Sequence, residues 1–351
     1  MFTVKILNSN NMFLRFFIYT FIVLALVSCK EDNSKKERIS IPQDKKPKLQ
    51  IHFENLSQEL FNVKSSEDVK VFLEKHPRFC AEYLEVPNAA NDPKMIDFMY
   101  NLYSNEQLKA FYEESEKYIN QPPYLKDQLK DLFENIKYYY PDYSAPEVNT
   151  IVTGFKFNKD LSVSDSLVVI STDYFLGPKA EFRPLAYEYF LTRYDKPFIT
   201  PMIAMALSNK YNEVDPKDET MLAHMIYHGK TLYFMERVLP ETPDSLLIMY
   251  PQKTIEEVEN NLDVIWAHFI DKKLFYETKP RIIEKYTGEA PKVSEIGDKC
   301  PGRIGRWLGW QIVRKYMKDH PEVTVQELMA DNDARKIFEE SRYKPKKPSG
   351  K

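Results

Sequence analysis

Two histidines four residues apart, His224 and His228, come closer than any other residues in this chain to a reactive pattern. On a helix, residues i and i+4 share a face, so both imidazoles can grip one zinc ion. The peptidase form of this pattern is H-E-x-x-H, whose glutamate activates a metal-bound water. Position 225 is methionine, which cannot take a proton. Glu236 and Glu241 are the nearest downstream acids for a third ligand, and the spacing selects neither. A plainer reading puts the two rings on a helix flank, one bonded to a carbonyl and one in water. The missing remainder of a zinc constellation favours it. His52, His76, His268 and His320 are scattered, and there is no G-x-S-x-G elbow. Nine glycines in 351 residues include no G-x-G-x-x-G, and the one G-K-T, Gly229-Lys230-Thr231, has His224 where a P-loop needs its first glycine, which argues against a dinucleotide or P-loop phosphate site.

The elements that must position these residues read as mainly helical. Residues 218–236 form the long helix that carries the histidine pair, with Leu222, Met225, Ile226, Leu232 and Phe234. Helical spacing also marks 66–75, 93–103, 124–139, 197–208 and 303–318. Ser104 with Gln107, Thr254 with Glu257, and Thr324 with Glu327 have capping-box spacing. The second of these opens a helix running through Val258, Leu262 and Phe269. Gly305 and Gly309 fall on one face of the 303–318 helix, where glycine is unfavourable unless helices pack closely. Over 150–157 the period changes to two, through Ile151, Thr153, Phe155 and Phe157, and 166–172 is a β-branched run. The polar segment 158–165 between them predicts an antiparallel pair.

Composition bounds the rest. With 43% hydrophobic and 29% charged residues the chain can bury a large core. Lys and Arg number 49 against 52 acids, a net charge of −3, which speaks against nucleic acid as a partner. Residues 16–27 are an apolar run behind Arg15, too short to span a bilayer and suited to a signal-peptide core. Leu26-Val27-Ser28-Cys29 has the form of a lipobox, which makes Cys29 the lipidated first residue of the mature chain. Both Met1 and Met12 are candidate starts. Loss of 1–28 removes Lys5 and Arg15, leaving 47 basic against 52 acidic residues and a net charge of −5. Residues 29–48 read as a polar tether, 49–341 as one folded body and 342–351 as a basic tail. Cys80 and Cys300 can pair in an oxidising compartment or stay as buried thiols.

Four stretches in order resemble the gliding-motility lipoprotein family GldB of Bacteroidetes. They are the Leu-Val-Ser-Cys lipobox and the runs 165–177 (DSLVVISTDYFLG), 225–234 (MIYHGKTLYF) and 301–313 (PGRIGRWLGWQIV), with the Tyr343-Lys344-Pro345-Lys346-Lys347 ending. Cys29-Lys30-Glu31-Asp32 is similar to the signal that sends lipoproteins of these bacteria to the cell surface. That family is in turn distantly similar to predicted zinc-dependent peptidases, whose second helix supplies a glutamate ligand. One alignment puts His228 at that glutamate and 202–206 where H-E-x-x-H belongs, leaving no ligand there.

The resemblance implies an α+β fold, mainly helical: a single large domain with a small antiparallel β insert and a degenerate zincin-like core. It implies a non-enzymatic component of gliding motility, anchored in the cell envelope by lipid on Cys29, facing the periplasm or the outer-membrane surface. Its partners would be the membrane and other gliding-motility or secretion proteins, without a metal cofactor. One alternative is a lipid-anchored zinc metallopeptidase using His224 and His228. Another is a surface glycan- or peptide-binding lipoprotein using Tyr138, Tyr139, Tyr140 and Tyr143, for which side-chain packing is the favoured explanation.

Overall fold

The computed structural model describes residues 41–119 and 124–345. Cys29, the signal segment, most of the expected tether and the end of the basic tail lie outside the described residues. In chain order, strand β1 is Phe53–Asn55. Helices α1 (Leu56–Leu60), α2 (Ser66–Lys75), α3 (Pro93–Tyr103), α4 (Glu106–Ile119) and α5 (Tyr124–Tyr139) follow. Next come β2 (Glu147–Ile151), β3 (Leu161–Val163) and β4 (Leu167–Ser171). The remaining helices are α6 (Glu188–Leu191), α7 (Ile199–Ser208), α8 (Met221–Val238), α9 (Asp244–Ile248), α10 (Gln252–Asn260) and α11 (Leu262–Asp271). The last four are α12 (Pro280–Thr287), α13 (Ile304–Asp319), α14 (Val325–Ala330) and α15 (Ala334–Ser341). Among the described residues, no helix is long and apolar enough to cross a membrane.

Local chemistry sets most helix starts. Ser65 and Asp68 form a full capping box on α2, and Thr324 and Glu327 do the same on α14. Thr220 caps α8 by accepting the Ala223 amide. Two expected caps are corrected. Ser104 ends α3 in a helical conformation, and Asn105 caps α4 instead by accepting the Gln107 and Leu108 amides. Thr254 lies inside α10, which starts behind Pro251, and the expected single helix is broken at Asn261 into α10 and α11.

The β element is also corrected. It is one four-stranded mixed sheet in the order β1-β2-β4-β3, not an antiparallel pair. β2 runs parallel to both β1 and β4, with Val148 opposite Phe53 and Val168. The only antiparallel pairing in this sheet is β3 on β4, with Ser162 opposite Val169, and β3 lies inside the segment read as a polar loop. β4 is buried at every position, the continuous apolar reading of a central strand covered on both faces. The alternation past Ile151 is not a strand, because Gly154, Phe155 and Asn158 all have left-handed φ and turn the chain.

The core closes around α8 and α13, which bury Met225, Phe234, Trp307 and Trp310 completely. A Cβ on Gly309 would stand 1.8 Å from the Met225 carbonyl oxygen, and one on Gly229 2.4 Å from the Gly309 carbonyl oxygen. Only glycine lets the two backbones touch there. One end of this pair is tied by charge: Glu236 accepts from Trp310 Nε1 at 2.8 Å and Arg314 Nε at 2.6 Å, and Arg314 binds both Asp244 oxygens. The chain before β1 is also attached to the body, with Ile41 buried, Lys46 paired to Asp131, and the Leu49 amide on Glu134. Cys80 and Cys300 are both free and buried.

Candidate functional site: an arginine-walled cleft

The structure separates the two histidines in environment. His224 is exposed on α8, and His228 is set more deeply one turn later. Burial first, then the charges of Arg306, His224 and Arg303, pushes the His228 imidazole down to about 3. Its ring is therefore neutral at physiological pH. The candidate third ligands are elsewhere. Glu236 is eight residues along the same helix, about 12 Å by the helical rise, and its carboxylate is held by Trp310 and Arg314. Glu241 is exposed beyond the end of α8. Met225 is fully buried against α13. Among the described residues, the His and carboxylate groups close enough to share an ion lie at the β1 edge: His52, Glu54 and Glu147, and Glu54, Glu59 and His76. These carboxylates already meet Lys75 and Arg78.

What the fold assembles beside His228 is a set of guanidinium groups. A hollow of about 210 Å³ is lined by His228, Thr231, Leu247, Arg303 and Arg306. It adjoins one of about 350 Å³ lined by Arg193, Met202, Met249, Glu289, Arg303 and Arg306, and Met205 and Asn209 border both. Segment 202–206, aligned with the first metal helix of the peptidases, is thus brought to the same cleft as His228.

Glu289 is the acid the arginines share. Arg193 holds it with both terminal nitrogens, at 3.3 and 2.8 Å, while Arg303 and Arg306 stand at 3.5 Å. Arg303 also donates to the Met249 carbonyl at 2.9 Å, and Arg306 to the Thr287 carbonyl. Burial presses Arg193 and Arg306 below the usual guanidinium range, partly offset by Glu289. Arg303 and Met249 both adopt left-handed φ, 63° and 57°, an uncommon backbone for bulky residues that the rest of the fold must hold in place.

The first turn of α13 has no acid and carries Arg306, with Arg303 at the N-cap. A helix N-terminus already bears positive partial charge, so cations there are disfavoured by roughly 0.3–1 kcal/mol each. That inversion was legible in the sequence, inside the family-like 301–313 stretch. Arg193 and Glu289, 96 positions apart, leave no local signal.

A hollow of about 550 Å³ lies elsewhere and is walled by Phe98, Leu108, Phe111, Phe155 and Phe182. It carries no cluster of reactive groups. The tyrosines proposed for glycan contact are packed: Tyr139 and Tyr143 are buried, and Tyr140 stacks on Tyr211 with centroids 3.8 Å apart. Packing, the favoured explanation, is what they do.

A tight helix crossing under a cationic cleft, joined to a small mixed sheet, defines a mainly helical α+β body. The family follows from the sequence as a whole: the model of gliding motility protein GldB matches residues 34–345. The chain belongs to the GldB family of gliding-motility lipoproteins. No curated protein and no solved structure matches it.

Proposed function

We propose that this protein is a lipid-anchored, non-enzymatic component of gliding motility that supports the gliding and secretion machinery by binding. Lipid on Cys29 would hold the body at a membrane of the cell envelope. The observation that carries the non-enzymatic half is the charge around His228. Arg303 and Arg306 line the hollow that holds His228, and guanidinium groups repel zinc. The residue at the general-base position, Met225, is sealed in the α8–α13 crossing. On this reading the core is a zincin-like arrangement whose metal helix has become the apolar wall at Met202 and Met205.

Deleting the gene tests the motility half: mutant cells should fail to spread on agar, and normal spreading with normal adhesin export would end the proposal. Metal analysis tests the other half. The purified protein should carry no stoichiometric zinc, and zinc that is lost on His224→Ala would favour the peptidase.

A further inference from the structure

We propose that the arginine-walled cleft is a ligand site for a carboxylate attached to an apolar body. This goes beyond the motility assignment and does not depend on it. The argument begins with charge. Arg193, Arg303 and Arg306 face two acids, Glu289 and Asp160, and His228 is neutral. The Asp160 carboxylate is already committed, accepting from the Leu161 amide at 2.7 Å and bonding the Tyr194 hydroxyl. Counting both acids, the cleft sets three positive charges against two negative ones, an excess of one that matches a monoanion.

The arrangement of the guanidinium groups narrows the anion. Planar forks select carboxylates through paired N–H bonds, and Glu289 shows that a carboxylate fits here. One Glu289 carboxylate serves three guanidinium groups, and only Arg193 holds it with two hydrogen bonds. Arg303 and Arg306 reach it at 3.5 Å alone, beyond good hydrogen-bond length. Both are fixed from behind by backbone carbonyls, Met249 for Arg303 and Thr287 for Arg306, so their orientation is set before a ligand arrives.

The apolar part of the lining selects the rest of the molecule. Leu161, Met202, Met205 and Met249 border the larger hollow. Methionine-rich walls accommodate varied apolar shapes. A space of about 350 Å³ is at the small end of ligand pockets. A free organic acid and the C-terminal carboxylate of a peptide both present this chemistry.

The test is calorimetry on the full chain purified in detergent, titrated with hexanoate, with N-acetyl-alanyl-leucine, and with the amide of that peptide. At least one acid should bind, and the amide should bind at least tenfold more weakly. Preference for the peptide acid identifies a chain terminus as the source, and preference for hexanoate a free acid. Glu289→Gln removes the competing charge and should tighten the acid at least threefold. Arg306→Lys keeps the charge, loses the fork, and should weaken it at least fivefold. Failure of both acids to bind at millimolar concentration, or an amide as tight as its acid, overturns the proposal on the wild-type protein alone. Unchanged affinity in both folded variants overturns it as well.

Discussion

Lys230 shows how much one side chain can be made to do. It is 1% exposed, and its ammonium donates to the Glu213, Met329 and Asp331 carbonyls at 2.7, 3.2 and 2.8 Å. Burial pushes it down to about 8, so it stays largely charged at neutral pH. Those bonds tie the loop before α8 and the C-terminal end of α14 to α8. Lys230→Met fills the space and strands the Glu213 and Asp331 carbonyls, while the Met329 carbonyl keeps the Glu213 amide, so chemical denaturation should show a loss of about 3 kcal/mol.

Asp173 carries the opposite liability. It is buried behind β4, accepts from Thr153 Oγ1 at 2.9 Å and the Phe155 amide at 3.2 Å, and leaves Oδ1 without a partner. Burial pushes its carboxyl up to about 6 from 3.8. The native state therefore binds the proton more tightly than the unfolded chain. The contribution of Asp173 falls as pH rises from about 4 to 6, by about 3 kcal/mol in all. Urea unfolding of Asp173→Asn should show the variant gaining that much on the wild type between pH 4 and pH 7. A difference that stays flat across this range would refute the assignment.

Among the elements, the α8–α13 crossing decides whether the body holds together. Gly309→Ala would drive a methyl into the Met225 carbonyl at 1.8 Å, whereas a Cβ on Gly305 meets its nearest atom, Thr287 Cγ2, at 3.0 Å. Thermal unfolding should therefore rank Gly309→Ala far below Gly305→Ala, by at least about 2 kcal/mol.

The helix-to-helix contact through these glycines was readable from the i, i+4 spacing, as were α2, α3 and α5 at both ends. Such segments carry their own period and their own caps. Of the sheet, β4 was readable from the β-branched run 166–172, whereas β1 and β3 have three residues each, too few to show a period, and β1 pairs with a strand more than 90 residues away. Parallel pairing of β2 with β4 leaves no turn signature. Capping spacing misled at Thr254 because Pro251 starts α10 earlier.

At the scale of the molecule, half of the site was visible in advance. His228 was found by its type and spacing, and the arginines around it required the fold, since Arg193, Glu289 and the α13 terminus meet only in three dimensions. On the proposed reading their charge changes what His228 is for: its neutral imidazole becomes a polar wall of the cleft, and the guanidinium charge beside it opposes a bound zinc. The family membership places this body in gliding motility, and on the proposed reading the cleft is where it binds.

The most direct measurement of that account is complementation of a deletion strain with the double variant His224→Ala/His228→Gln, scored by colony spreading. At wild-type protein levels, the variant should restore spreading to the wild-type rate. A folded, normally abundant variant that leaves cells unable to spread would contradict the account and return the histidine pair to the centre of the mechanism.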